Sequence, residues 1–284
     1  MSTALRDPVS ADVPAGQRPA DPLDHLRPVS IDEVLAAADL QTRVDRKYLL
    51  TRSELDALAV GLPAHVGVLE IGGRRQHGYE STYHDTPELD SYLATARARP
   101  HRFKVRVRTY LDSSTHVAEV KTRARRGRNA KDRHHASVTD HRVLSDDVRR
   151  FVARTLAERL PRTDHATVVD RLRPVLRTAY QRTTLLVGST DPDHGAASRA
   201  TVDTALTFAE PDGSTRFLPQ LIVVETKSSG PPTDLDRWLW HLGHRPTRLS
   251  KFGAGLALVR PDLPANRWHR VLHHHLAPPT EDPR

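Results

Sequence analysis

The chain has 284 residues, with 43 Lys or Arg against 35 Asp or Glu, and a formal net charge of +8 with histidine neutral. Hydrophobic residues make up 37% and charged residues 27% of it, enough apolar material for a core and too much for a wholly disordered chain. No run reaches the roughly 18 apolar residues of a membrane span and no apolar leader opens the chain, so no membrane segment and a cytoplasmic location are expected. With zero Cys, a disulfide framework, a thiolate metal site and a thiol nucleophile are excluded, and any metal must be held by Asp, Glu or His.

Residues 1–28 are rich in Pro, Asp, Ala and Gly without apolar periodicity. They are expected to form a disordered tail, as are residues 277–284, leaving 29–276 as a single domain. Ile31, Val34, Leu35 and Ala38 fall at helical spacing behind Ser30, an N-cap that Glu33 completes as a capping box, and predict a helix over 31–40. Strands are predicted over 44–50, 65–71, 77–84, 102–111, 115–123, 133–138, 174–187, 199–208 and 218–227, with a further one near 249–259. Helices are expected over 52–60, 145–159 and 233–242. Many short strands with few helices imply an α+β fold built on a sandwich or a closed antiparallel β-barrel.

Charge is concentrated in residues 97–135, which hold 13 Lys or Arg and three acids, and this calls for a polyanionic partner. Within that stretch Arg102 to Tyr110 alternates without a fault: Arg102, Lys104, Arg106 and Arg108 share one strand face, and Phe103, Val105 and Val107 the other. The next strand repeats the design with Glu119, Lys121 and Arg123, and a third, strongly apolar one ends in Glu225 and Lys227 with the same Glu-x-Lys spacing. A solvated charged face explains one such strand. Repetition across several is better explained by charges lining a cavity filled by water, metal and an anionic ligand, because burying them unpaired costs several kcal/mol each. Asp45 and Lys47 share a face in the same manner, as do Tyr180 and Arg182, and Arg199 and Asp203. Only 5% of residues are aromatic, and the basic strands interleave with Val rather than stacking side chains, so nucleic acid is not the expected partner. His134-His135 and His273–His275 read as surface histidines, and Trp238 and Trp240 as packing residues of a Leu-rich helix.

Read together, Arg43-Val-Asp-Arg-Lys-Tyr48, Ser81-Thr-Tyr-His-Asp85, Lys104 to Tyr110, Glu119-Val-Lys121, Arg177 to Arg182, Arg199 to Thr204, Glu225-Thr-Lys227 and Arg248-Leu-Ser-Lys-Phe252 resemble the catalytic domain of the vacuolar transporter chaperone family. These are polyphosphate polymerases within the triphosphate tunnel metalloenzymes that include the CYTH proteins. The resemblance implies a tunnel-forming antiparallel barrel that moves the γ-phosphate of ATP onto a growing inorganic polyphosphate chain with Mn²⁺ or Mg²⁺. It implies that Lys47, Arg106, Arg108, Lys121, Arg182, Arg199 and Lys251 are the phosphate-binding cations of the tunnel, joined by Lys131 and Lys227, that Glu225 is the metal-holding carboxylate, and that Glu119 and Asp45 are accessory acids. Asp45 stands where the family usually carries Glu, and His84 where its signature carries Phe. The family's phosphate-sensing and membrane-spanning regions have no counterpart here, which implies a stand-alone soluble domain. The alternatives are a metal-dependent triphosphate or tripolyphosphate hydrolase and a non-catalytic polyphosphate-binding module.

Overall fold

A computed structural model describes residues 21–36, 44–123, 129–137, 143–161, 165–188, 197–211 and 213–276. The expected tails over 1–20 and 277–284 lie outside these residues. The chain enters the fold before residue 29, however: Leu23 and Leu26 are buried, and β1 (Arg27–Val29) pairs with β3 (Val66–Leu69). The elements follow as α1 (Ile31–Ala36), β2 (Val44–Leu50), α2 (Arg52–Val60), β3, β4 (Gln76–Asp85), α3 (Asp90–Ala96), β5 (Arg102–Tyr110), β6 (Thr115–Arg123) and β7 (Asn129–His135). The second half holds α4 (Asp146–Arg159), α5 (His165–Asp170), β8 (Arg173–Val187), β9 (Ser198–Ala209), β10 (Thr215–Leu218), β11 (Ile222–Ser228), α6 (Asp234–His241) and α7 (Lys251–Val259).

The eleven strands form one sheet in the order β2-β11-β9-β8-β4-β5-β6-β7, antiparallel along this path, with β1, β3 and β10 attached at its side. The fold is therefore α+β, an antiparallel sheet with flanking helices. The closed barrel is corrected: among the described residues β2 and β7 are not paired, so hydrogen bonds do not close the sheet. The free edge of β2 instead receives the segment after α6, where the Thr247 amide donates to the Lys47 carbonyl at 2.7 Å.

The helices lie where the apolar strand faces point. Phe103, Val105 and Val107 of β5 pack with Val148, Val152 and Leu156 of α4, and Ile222 and Val224 of β11 with Leu55 and Leu58 of α2 and Leu235 and Leu239 of α6. These cores coat the convex side, which leaves the alternate, charged residues to the concavity. The start of α7 borders the concavity, where Ser250, Lys251 and Phe252 line it, and Phe252 and Leu256 join Leu206, Phe208 and Val223 in a third core. The sequence pattern near 249–259 predicts a strand there. The run is instead helical, and Gly253 and Gly255 pass so close to Trp268 and Phe208 that a Cβ would stand 2.0 Å and 2.3 Å from those rings. Periodicity shows an apolar run, and only the packing shows why two glycines interrupt it.

Local capping follows the sequence. Ser30 and Glu33 exchange side-chain to backbone bonds at the start of α1, as do Thr51 and Glu54 for α2 and Thr233 and Asp236 for α6. The tryptophans pack as expected: Trp238 donates to the Leu58 carbonyl and Trp240 to the Tyr48 hydroxyl, both against the α2–α6 core. His134 sits 3.2 Å from Asp147 and stacks on Phe151.

Candidate functional site

Strand alternation carries the charged residues inward. The concave face encloses a cavity of about 310 Å³ whose walls hold eleven Lys or Arg and two carboxylates, Glu119 and Glu225. All seven cations anticipated as the phosphate-binding set (Lys47, Arg106, Arg108, Lys121, Arg182, Arg199 and Lys251) line it, together with Lys131 and Lys227. Asp45 does not. It is exposed at the end of β2, opposite Lys227 in register, where its charge favours the protonated Lys227. Among the described residues no three Asp, Glu or His side chains converge as a metal cage.

Three carboxylates organise the cations. Glu119, fully buried, meets Arg106 and Lys131 in close ion pairs and Arg133 Nε at 3.2 Å. Asp203, equally buried beneath the wall, receives a two-pronged bond from Arg182 at 2.6 and 2.8 Å and one from Lys251. Glu225 is the most accessible of the three, with Lys227 at 3.1 Å and Lys47 at 3.8 Å. Burial alone would push each of these carboxyls up. The cations around Glu119 and Glu225 outweigh it and hold both well below the ordinary carboxylate range, and Arg182 and Lys251 draw Asp203 down to about 2. All three are therefore ionised at neutral pH.

The cations outnumber these acids. Among the described residues Lys104, Arg108 and Lys121 have no carboxylate within salt-bridge reach: Lys104 donates to the Ser250 hydroxyl at 2.9 Å, and Arg108 to the Tyr180 hydroxyl at 3.2 Å. Burial first, and then the neighbouring Lys121, Arg102 and Arg106, depress Lys104 to about 7. Burial and Arg106 depress Lys121 to about 8. Charges held in this way are stabilised by an anion entering among them, and Arg forks with Lys point charges suit phosphate oxygens.

Aromatic side chains fix the long cations. Tyr79 stacks on Tyr180 at 5.6 Å and lies under Arg108 and Arg182, while Tyr83 accepts from Arg106 at 3.0 Å and stacks on Phe252. These tyrosines, Lys104, Arg133 and Ser250 line the cavity but were not among the anticipated site residues. Lys104 was legible, since it shares the alternating face of Arg106. Ser250 stands inside the Arg248-to-Phe252 motif. Tyr180 shares the strand face of Arg182, whereas Tyr79 carries no comparable signal, because its part depends on the β4–β8 register that sets it beside Tyr180.

A family model described as the VTC domain matches residues 42–260. No curated protein matches the chain at a significant level. Among solved structures, the chain is similar to a putative adenylyl cyclase from Hippeastrum described as having a dominant triphosphatase activity, at 14% identity and a TM-score of 0.47, over 80% of this chain and 100% of that one. It is also similar to a putative adenylate cyclase from Bacillus halodurans, at 11% identity, a TM-score of 0.40, and 74% and 96% of the two chains. A third is the PH1819 protein from Pyrococcus horikoshii, at 11% identity, a TM-score of 0.38, and 74% and 97%.

Proposed function

The chain belongs to the VTC domain family, and from that premise we propose that it is a polyphosphate polymerase, transferring the γ-phosphate of ATP onto an inorganic polyphosphate chain held in the cavity. The observation that carries this reading is the wall of eleven cations against two carboxylates around a single cavity. Phosphoryl transfer asks a protein for placement and charge neutralisation rather than a covalent nucleophile. An oxygen of the chain's terminal phosphate attacks the γ-phosphorus, the bond to the β-phosphate oxygen breaks, and ADP leaves with that electron pair. In this reading Arg106 and Arg108 fork onto phosphate oxygens, while Lys121, Lys47, Arg182, Arg199 and Lys251 supply charge; all seven line the cavity.

Divalent metal fits this donor set in one form. Glu225, with Glu119 behind its own cations, offers hard carboxylate oxygens but no complete cage, so Glu225 would be the residue that holds Mg²⁺ or Mn²⁺. When bound, the metal supplies neutralisation of charge on the transferring and leaving phosphates. Lys47 and Lys227 hold Glu225 ionised and in place.

Incubation of the protein with ATP and Mn²⁺ or Mg²⁺, followed by phosphorus NMR, tests the reading. Internal phosphoanhydride signals appearing with ADP support it. Orthophosphate alone would assign the cavity to hydrolysis, and binding without turnover to a polyphosphate-binding module.

A further inference from the structure

Beyond the cavity wall the cationic rows continue. Arg102 and Arg123 are cross-strand partners at the ends of β5 and β6, one step along the same face from the partners Lys104 and Lys121, or about 7 Å further. Arg248 precedes Ser250, which holds Lys104. Arg267 enters from the turn at 266–268, anchored by the buried Trp268 that packs on Gly253 of α7. Arg102, Arg123 and Arg267 are partly exposed and Arg248 is exposed, and among the described residues none forms an ion pair with a carboxylate. Arg102 instead donates to the Arg99 carbonyl at 2.7 Å. Partial burial and mutual repulsion lower Arg102, with Arg123 and Arg267 beside it, and Arg267, with Arg248 and Arg123 beside it. This contrasts with the cavity, where Arg106, Arg182, Lys131 and Lys251 each have a buried acid.

We propose that this arginine rim at the α7 end of the cavity is a second anion subsite, which takes the phosphate units of a chain extending out of the cavity. The proposal rests on the reading of the cavity as a phosphate-chain site. It adds a length requirement: a short polyphosphate fills the cavity without touching the rim, whereas a long one gains contacts with it. Like charges gathered without a counter-charge repel, so an anion is favoured there. A flexible phosphate chain suits the rim better than a compact ion, because the rim continues the cavity's own rows. Arg267 lies outside the residues matched by the family model, so this part of the rim belongs to the chain's C-terminal turns.

The test is calorimetric titration of the full chain and of a double variant, Arg102→Gln with Arg267→Gln, using tripolyphosphate and a polyphosphate of several tens of units. Tripolyphosphate affinity is expected to stay within about twofold, while long-chain affinity falls about tenfold or more and its salt slope becomes shallower by about two. The variant's melting temperature is expected not to fall, since two repelling charges are gone, and this separates a binding role from a structural one. Equal losses for both lengths, or none, would overturn the proposal. So would an effect confined to orthophosphate, or tighter rim-dependent binding of oligothymidylate than of polyphosphate. A variant that loses long-chain affinity in a protein that never makes polyphosphate from ATP would support the rim and overturn the polymerase reading.

Discussion

Glu225 on β11 and Glu119 on β6 both line the cavity, and their surroundings give them different tasks. Glu119 is fully buried and ties Arg106, Lys131 and Arg133 together, so neutralising it strands buried cations, a loss on the order of 3–5 kcal/mol. Glu225 is 15% exposed, with Lys47 at 3.8 Å on one side, and can relax or hydrate. Glu225→Gln should therefore lower turnover about a hundredfold or more while leaving the melting temperature within a few degrees. Glu119→Gln should lower the melting temperature by about 10 °C. Turnover assays and thermal melts of the two variants check this, and the reverse pattern would exchange their roles.

Lys104 gives the site a pH dependence whose sign is fixed. Burial first, then Lys121, Arg102, Arg106 and Arg267, hold its ammonium at about 7, against roughly 10.4 in an unfolded chain. Its folded pKa is depressed, so the stability linked to it is complete above the unfolded value and is lost as pH falls towards 7. An anion among these cations restores the proton. Tripolyphosphate binding should therefore take up protons between about pH 7 and 9 and weaken as pH rises through that window. Calorimetry in two buffers of different ionisation enthalpy measures the uptake, and proton release at pH 8 would sink the argument.

Among the elements, α7 decides where the cavity ends, and its two glycines let it sit there. Alanine at Gly255 would place a Cβ 2.3 Å from a ring carbon of Phe208 on β9, which is itself buried in the same core as α7. Helix propensity would gain roughly 1 kcal/mol, and overpacking a core that cannot yield costs about 1–3 kcal/mol. Gly255→Ala should therefore destabilise by up to about 2 kcal/mol and shift Lys251 and Phe252 at the cavity's edge. A chemical denaturation series measures the first, and a stabilised variant would contradict the packing account.

The same helix marks the limit of what the sequence shows. The inward rows of β5, β6 and β11 were legible because alternation is a backbone property, and one residue in two must face the concavity once the other faces a helix. The capping box at Ser30 was legible for a similar reason, since donor and acceptor lie within four residues. The strand reading of 249–259 failed because its glycines answer to Trp268 and Phe208, partners distant in sequence. α3 was missed for a comparable reason. Its start is fixed by the buried Asp85, which accepts from the Ser91 and Tyr92 amides from beyond the usual cap position. Barrel closure was overread, because no strand pattern tells whether the two edges of a curled sheet meet.

At the scale of the molecule, the fold places its apolar cores outside the curled sheet and its charges inside. The cavity is therefore a store of unrelieved repulsion, with Lys104, Arg108 and Lys121 lacking acids and Lys47 facing Lys121. A polyanion that enters relieves that repulsion, and the relief should appear as stability of the whole domain, because its cations are carried on strands from both edges of the sheet. Ligand that binds only the folded state at about one hundred times its Kd adds about 2.7 kcal/mol. For a domain of this size that is a rise in melting temperature of about 5–10 °C. Added salt shortens the Debye length from about 10 Å at 0.1 M to 3 Å at 1 M, and ions compete for the exposed cations. Saturating tripolyphosphate should therefore raise the melting temperature by this amount at low salt, and by less than half as much near 1 M NaCl, while adenosine, which carries no phosphate, should leave it unchanged. Thermal melts with each ligand at the two salt concentrations read the effect directly. A shift that adenosine reproduces, or that salt leaves intact, would mean that apolar contacts rather than the cationic wall hold the ligand.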